Sequence, residues 1–304
     1  SRAKRMEEPM TSKEISEAIA RLAKGKSPGP DHLPAEFYKD FEHLVAAPLL
    51  NTFSEAHRNG SLVEELRQGD VTLHYKKGDP REIRNYRPIT LLNADYKILA
   101  HILVKRLKLV MDDIISKEQL GFVPGREISE STLFLKLVQA KLEEDDLEGI
   151  IVACDWEKAF DRVSWEYLHL ATEALGFGPY MCSWLKVLYN KDAPPLRCIK
   201  ANGSRSDPFP ILSGVPQGCP ASPIIFLLVA EALARAIITD PKIKGIQIAE
   251  KEYKLTQFAD DTQIMLAGYK YLKRLWAVLT EYEDATGMKA NAKKFEGLRC
   301  GALV

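Results

Sequence analysis

The sequence has no surplus of either charge. Its 304 residues carry 42 Lys and Arg against 42 Asp and Glu, a formal net charge of zero. A diffuse basic surface for non-specific nucleic-acid binding is thereby excluded, and any electrostatic footprint must be local. Residues 66–127 hold such an excess, 12 Lys and Arg against 8 Asp and Glu, and the acidic stretch KLEEDDLEG (141–149) offsets part of it. Cysteine is scarce: five residues, at 154, 182, 198, 219 and 300, form no Cys-x-x-Cys pair, and the six histidines are equally dispersed. That pattern argues against a zinc site and fits a reducing, intracellular setting. No apolar run approaches 20 residues, the longest being IIFLLVA (224–230), and no signal-peptide pattern opens the chain. The expectation is a soluble protein with no membrane partner. There is also no internal repeat and no low-complexity linker.

What is present divides into short, well-punctuated elements. TSKEISEAIARLAK (11–24) has a capping residue and apolar positions at helical spacing. GKSPGPDHLP (25–34) breaks it, and a second helix is expected over about 35–58. GDVTLHY and YRPITLLN predict a hairpin with a basic tip at KKGDPREIRN. One continuous helix is expected over 95–115 and another over 129–145. GIIVACD (149–155) has the apolar run of a buried strand, followed by helices near 164–176 and 179–190. PLRCIKANGSRSDPFPI predicts a hairpin turning at Asn202-Gly203, and SPIIFLLVAEALARAII (222–238) a helix with Pro in its first turn. A hairpin over 252–267, a helix over 270–286 and a last strand complete the chain. Strand, helix, hairpin, helix, strand is an α+β arrangement of the split βαβ kind.

The stretch QFADDTQIML (257–266) places Asp260 and Asp261 side by side between two strand-like flanks. The spacing predicts that this pair occupies the hairpin tip. Adjacent like charges repel, and a tip requiring left-handed backbone would favour Asn-Gly or Asp-Gly. Three readings follow: a polar turn, a calcium-type oxygen cluster, or a catalytic metal site. Asp155, at the end of the apolar strand, is another costly place for a bare charge. If that strand pairs beside the hairpin, three carboxylates converge with no histidine among them. Such an oxygen-only set suits Mg²⁺ or Mn²⁺, with substrate phosphates completing the shell.

At these residues the chain resembles the reverse transcriptase domain of non-LTR (LINE-type) retrotransposons and related domesticated reverse transcriptases. CDWEKAFDRV and FADD, 105 residues apart at their aspartates, resemble motifs A and C of that family. KSPGPDHLPAEFYK, NYRPITLLNADYKILAHILVKRL, QLGFVPGR, SGVPQGCPASPIIF and TGMKANAKKFE resemble further motifs, in the family's order, over nearly all of residues 25–300. The resemblance implies a right-hand polymerase with fingers and palm, the palm a split βαβ antiparallel sheet, and the thumb missing. It divides the chain into an N-terminal extension with fingers (1–147) and a palm with part of the fingers (148–304). It implies an RNA-directed DNA polymerase that adds dNTPs to a primer 3′-hydroxyl with two Mg²⁺ ions, on an RNA template with a DNA primer.

The same resemblance assigns roles to residues. Asp155, Asp260 and Asp261 match the metal-binding triad, and Trp156 a backbone carbonyl on the metal. Phe160 matches the gate that packs on the incoming sugar and rejects a 2′-hydroxyl; on the residues alone it reads as core. Gln217 and Gly218 match motif B residues near nucleotide and template, where glycine lets backbone approach a ligand. Lys77 and Arg87 match residues that grip the triphosphate, and Lys294 a proton donor to leaving pyrophosphate. Asp161 reads as structural support. His32 departs from the family's usual Gly in GPDG, which touches only the local loop. Thumb, endonuclease and RNase H segments are expected in a longer parent protein. The alternatives are a catalytically inert nucleic-acid-binding scaffold and an RNA-directed RNA polymerase; the intact triad, Phe160 and FADD favour the first reading over both. A retroelement enzyme is expected in the nucleus, any other in the cytoplasm.

Overall fold

The computed structural model describes residues 2–301. The first part of the chain forms α1 (Arg2–Met6), α2 (Ser12–Arg21), α3 (Ala35–Asp40), α4 (Glu42–Asn59), α5 (Glu64–Arg67), β1 (Gln68–Tyr75), β2 (Tyr86–Leu92) and α6 (Ala94–Leu107). Then come α7 (Met111–Ile114), α8 (Ile128–Glu144), β3 (Glu148–Cys154), α9 (Trp165–Ala174) and α10 (Pro179–Leu188). The remainder is β4 (Leu196–Ala201), β5 (Ser204–Arg205), β6 (Phe209–Pro210), α11 (Ser222–Thr239), β7 (Ile246–Ile248), β8 (Lys251–Tyr253), β9 (Leu255–Phe258), β10 (Asp261–Leu266), α12 (Leu272–Thr286) and β11 (Glu296–Gly301). These elements form two compact units, residues 1–109 with 172–222 and residues 110–171 with 223–304. Each unit is thus built from two chain segments.

In unit one, Thr11 caps α2 through a capping box with Glu14, and Ile15, Ala18 and Ile19 are buried. Phe41 separates α3 from α4, so the helix expected over 35–58 is two helices; α4 ends at left-handed Gly60. Arg106 of α6 is buried against α2: its Nε and Nη2 each donate to the Glu14 carboxylate at 2.8 Å, and Nη2 also donates to the Pro9 carbonyl at 3.0 Å. Three hydrogen bonds from one guanidinium thereby order the N-terminal segment. Strands β1 and β2 pair antiparallel, and β4 joins β1 in parallel, making a mixed sheet whose hairpin β4–β5 turns at Asn202-Gly203 (φ 50° and 78°). The parallel pairing was not legible in the sequence.

The loop before α3 packs on the β2–α6 junction. Asn93 accepts the Asp31 N–H at 3.2 Å and donates to the Glu65 carbonyl at 3.0 Å. A Cβ at Gly29 would stand 2.2 Å from the Asn93 Oδ1, so only glycine fits. Burial and, to a lesser degree, the neighbouring Asp31 charge push the Asp95 carboxyl up to about 6; a hydrogen bond from the Tyr96 N–H works in the opposite direction. The folded protein then binds this proton more tightly than the unfolded chain. Asp95 favours folding fully below about pH 4, and that contribution is lost as pH rises through about 6. Asp95→Asn is therefore expected to raise the melting temperature at pH 7.5 by roughly 3 °C or more and to leave it unchanged near pH 4. Thermal melts at the two pH values check this, and an equal shift at both would refute the assignment.

The helix expected over 95–115 is interrupted at 108–110, where the chain passes from unit one to unit two. Val110, Met111 and Ile115 stay buried beyond the break, so the apolar spacing continues while the helix does not. In unit two the sheet order is β11-β3-β10-β9, all neighbours antiparallel. In chain order this is β3, helix, β9, β10, helix, β11, with β10 inserted between the parallel strands β3 and β9: the split βαβ arrangement. Apolar α11 is long and hydrophobic enough to cross a membrane by length and composition, yet Ile225, Leu227, Leu228 and Val229 are wholly buried inside the protein. The Tyr282 hydroxyl of α12 donates to the Val229 carbonyl at 3.3 Å and ties the two helices together.

Candidate active site

Strand register decides which carboxylates meet. β3 pairs with β10 through Ile151–Met265, Ala153–Gln263 and Cys154–Thr262. Continued by one residue, the same register sets Asp155 opposite Asp261, where side chains of antiparallel neighbours lie about 5 Å apart at Cβ. Ile151 and Met265, at the other end of this face, pack into a core with Val138 and Leu142 of α8. The helix covers that apolar end, while Ala153 and Gln263 are half-buried and Asp261 is exposed. The carboxylates therefore stand at the open end of a sheet whose apolar end is closed.

The hairpin differs from the expectation in its phase. Asp261 pairs with Phe258 and begins β10, so the two turn residues are Ala259 and Asp260, not Asp260 and Asp261. The left-handed residue is Ala259, at φ 56°. Alanine in a position that favours glycine costs on the order of 1 kcal/mol. This cost falls beside the carboxylates rather than on one of them, and Asp260 keeps an ordinary φ.

Asp155 is joined by cationic and backbone partners from the segment before β11. The Lys294 ammonium donates to Asp155 Oδ2 at 2.9 Å. Glu157 N–H donates to the Lys289 carbonyl and Asn291 N–H to the Asp155 carbonyl, both at 2.8 Å, around a bridge between Trp156 and Ala290. This zipper places Lys294 on the carboxylate and separates it from Lys289, which faces Glu157 at 3.9 Å. It also leaves the Trp156 carbonyl without a donor among the described residues. Phe160, in the short helical turn Ala159–Arg162, stacks on Phe226 of α11 with ring centroids 4.6 Å apart and planes 22° from parallel. Burial raises the pKa of neighbouring Asp161, opposed only by Lys158, consistent with support from within the fold.

No group of three or more His, Cys, Asp or Glu side chains that could hold a metal ion is present among the described residues. The donors nearest this sheet end are nonetheless all oxygen: two carboxylates adjacent in sequence, a third opposite by register, and the Trp156 carbonyl. That donor chemistry fits a hard divalent cation, and Asp155 already holds a cation in the form of Lys294.

The other candidates lie in unit one. Lys77 and Arg87 are exposed at the β1–β2 hairpin, where Asp79 pairs with Arg81 and Glu82 with Arg84. The tip's acids are thus taken by its other arginines, and neither Lys77 nor Arg87 has a carboxylate within ion-pair distance among the described residues. Gln217 accepts the Thr90 N–H through its backbone carbonyl at 2.7 Å. Gly218 has φ 115°, and a Cβ there would stand 2.3 Å from the Thr90 carbonyl oxygen. The close approach that this glycine permits is to β2 of its own unit, a reason the sequence did not carry.

One residue escaped the sequence reading altogether. The buried side chain of Gln119 brackets the Ala259 peptide groups, accepting its N–H at 2.8 Å and donating to its carbonyl at 3.2 Å. QLGF offered a motif but no chemistry for it.

The chain is an α+β protein with carboxylates at the open end of a split βαβ sheet. It belongs to the reverse transcriptase (RNA-dependent DNA polymerase) family, whose profile matches residues 75–300. It is 32% identical to the transposon TX1 uncharacterized 149 kDa protein of Xenopus laevis, over 99% of this chain and 23% of that protein. It is 29% identical to the Pol polyprotein of the type-1 retrotransposable element R2 of Popillia japonica, over 74% of this chain and 31% of that protein. The RNA-directed DNA polymerase of the mobile element jockey of Drosophila funebris is 25% identical, over 91% of this chain and 30% of that protein. The chain thus spans between about a quarter and a third of the length of these curated relatives. Among solved structures, apo telomerase from Candida tropicalis shares the fold, with a TM-score of 0.58 at 12% identity, covering 90% of this chain and 60% of that one.

Proposed function

We propose that this chain is the catalytic core of an RNA-directed DNA polymerase, which adds deoxynucleotides to a DNA primer 3′-hydroxyl on an RNA template. The observation that carries the reading is the strand register that sets Asp155 opposite Asp261 of the Asp260–Asp261 hairpin, in a chain of this family. In this reading unit two is the palm and unit one contributes the fingers. Asp155, Asp260, Asp261 and the Trp156 carbonyl would hold two Mg²⁺ or Mn²⁺ ions, which when bound supply Lewis-acid activation and charge neutralisation for phosphoryl transfer.

The chain's own residues do the rest. Lys77 and Arg87, with no acid to pair with at the hairpin, bind the triphosphate; Arg suits bidentate contact and Lys a point charge. Phe160 presents a ring to the sugar. Gln217 and Gly218 shape the wall beside nucleotide and template. Lys294, already at the carboxylates, carries a proton for the leaving pyrophosphate. Thumb, endonuclease or RNase H segments would belong to the rest of a longer protein.

The test is extension of a labelled DNA primer on an RNA template with Mg²⁺, using the full-length protein and comparing dNTPs with NTPs. Extension by dNTPs and not NTPs is expected. Extension by NTPs would reassign the chain as an RNA polymerase. A folded protein that binds primer–template and extends nothing would be a scaffold.

A further inference from the structure

Asp260 and Asp261 sit on a turn that does not favour its own conformation. Ala259 is left-handed where glycine is the usual residue, and the next residue carries a charge beside another charge. Something outside the hairpin must hold it. Residues 118–121 run along the free edge of β9: Leu120 N–H donates to the Gln257 carbonyl and Gln257 N–H to the Glu118 carbonyl, both at 2.8 Å. From this edge the Gln119 side chain reaches the turn. It is 2% exposed, and its side-chain hydrogen bonds go to the backbone of two residues, Ala259 and Gly121. Its Oε1 accepts the N–H of Ala259 at 2.8 Å and of Gly121 at 2.9 Å, and its Nε2 donates to the Ala259 carbonyl at 3.2 Å. The amide orientation is fixed by this pattern, since a flipped amide would set donors against donors.

The clamp requires its neighbours. A Cβ at Gly121 would lie 2.4 Å from the Ala259 nitrogen, so the edge segment can approach the turn only with glycine there. Arg126 Nη1 donates to the carbonyls of Ser116 and Gln119 at 2.6 and 2.7 Å. Ser116 in turn gives its N–H and hydroxyl to the buried Glu231 carboxylate of α11 at 2.9 and 2.6 Å, and Arg235 donates to the same carboxylate at 2.7 Å. A continuous hydrogen-bonded path therefore runs from a core helix to the peptide that precedes Asp260. Connected hydrogen-bond networks of this kind rigidify what they hold.

We propose that Gln119 is a positioning residue for the active site: its buried amide fixes the Ala259–Asp260 turn and so aims the carboxylates of Asp260 and Asp261. The role needs a donor and an acceptor on one side chain of this length. Glutamate offers no donor when ionised, and methionine, of similar shape, offers neither group. An unclamped turn would let Ala259 relax toward ordinary backbone and move both carboxylates. Displacements near 1 Å at a reacting centre cost on the order of 10²-fold in rate. The kinetic part of this proposal rests on the polymerase reading; the clamp itself does not.

The experiment uses Gln119→Met in the full-length protein, alone and combined with Ala259→Gly, with two kinds of readout. In metal-free protein, hydrogen exchange at the Ala259 and Gly121 amides is expected to accelerate at least tenfold, while amides of β3 and β11 keep their protection. In primer extension, kcat for dNTP addition is expected to fall about 10- to 100-fold with the KM for primer–template unchanged, and the Mg²⁺ concentration for half-maximal rate to rise. Ala259→Gly should restore several-fold of the lost rate, because glycine adopts the left-handed turn unaided. A merely structural glutamine would show rate losses matching the loss of folded protein, with no rescue by glycine, and that result overturns the proposal. So does unchanged exchange at Ala259, or a kcat within twofold of the parent. If the unmutated protein extends no primer, the polymerase reading fails. The clamp is then decided by exchange and by Mn²⁺ affinity measured in solution, which Gln119→Met should weaken at least tenfold if the carboxylates are aimed by it.

Discussion

Asp260→Asn is expected to remove primer extension by on the order of 10³-fold or more while leaving the protein folded. The two halves of this expectation come from different observations. Asp260 is half-buried in a two-residue turn, Asp261 is exposed beside it, and Asp155 ends the neighbouring strand. Packing three negative charges at one sheet end lowers stability, and the neutral amide, of nearly equal size, relieves part of that repulsion. The variant should therefore stay folded at assay temperature. Activity moves the other way, because a carboxylate that would hold a divalent ion has become a weak neutral ligand. Asp155→Asn, which also removes the acceptor of the Lys294 ammonium at 2.9 Å, should lose activity to a similar degree. Single-turnover incorporation and a thermal melt of each variant check both halves. An Asp260→Asn protein that extends primers within tenfold of the parent would remove Asp260 from the chemistry and with it the reading of the hairpin.

These carboxylates were legible in the sequence because chemistry put them where propensity would not: an aspartate ending the apolar run GIIVAC, and a pair inside strand-like flanks. The apolar run also placed β3 closely, and the strand-like flanks placed the hairpin that holds β10. What could not be read was the phase of the turn. Strand period fixes which residues share a face, but Phe258 pairing with Asp261 is decided by the clamp on Ala259, and that clamp comes from residue 119. Long-range hydrogen bonds leave little trace in local pattern. Gly218 teaches the same point: a close backbone approach was expected there, yet the atom it approaches, the Thr90 carbonyl, belongs to a strand more than a hundred residues earlier. The break after α6 was hidden for the opposite reason. There the local pattern persisted, with Val110 and Met111 still buried, although the chain had changed units. The parallel pairing of β4 with β1 joins segments about 130 residues apart, and apolar alternation carries no information on direction.

Phe160→Val is expected to relax sugar discrimination, raising kcat/KM for NTPs relative to dNTPs roughly 10- to 100-fold. Phe160 lies five residues after Asp155 in a short helical turn, and its ring is stacked on Phe226, which is 1% exposed on the core helix α11. One face of Phe160 is therefore fixed by a partner that cannot move without disturbing the core, and the residue remains only half-buried. A ring held in this way acts as a rigid wall. Rejection of a 2′-hydroxyl by such a wall is steric, so it should fail when the wall is shortened and survive when the ring is kept. Phe160→Tyr preserves the stack and should keep the parent's preference for dNTPs. Valine leaves space beside Phe226 and should lower stability by about 1–2 kcal/mol, less than for a fully buried phenylalanine. The dNTP rate should fall only a few-fold, since nothing in the phosphate or carboxylate positions depends on the ring. Competition between each dNTP and its ribonucleotide, measured on one RNA template, reads the ratio directly. If the ratio in a folded Phe160→Val protein equals that of the parent, Phe160 is a core residue and the sugar is selected elsewhere.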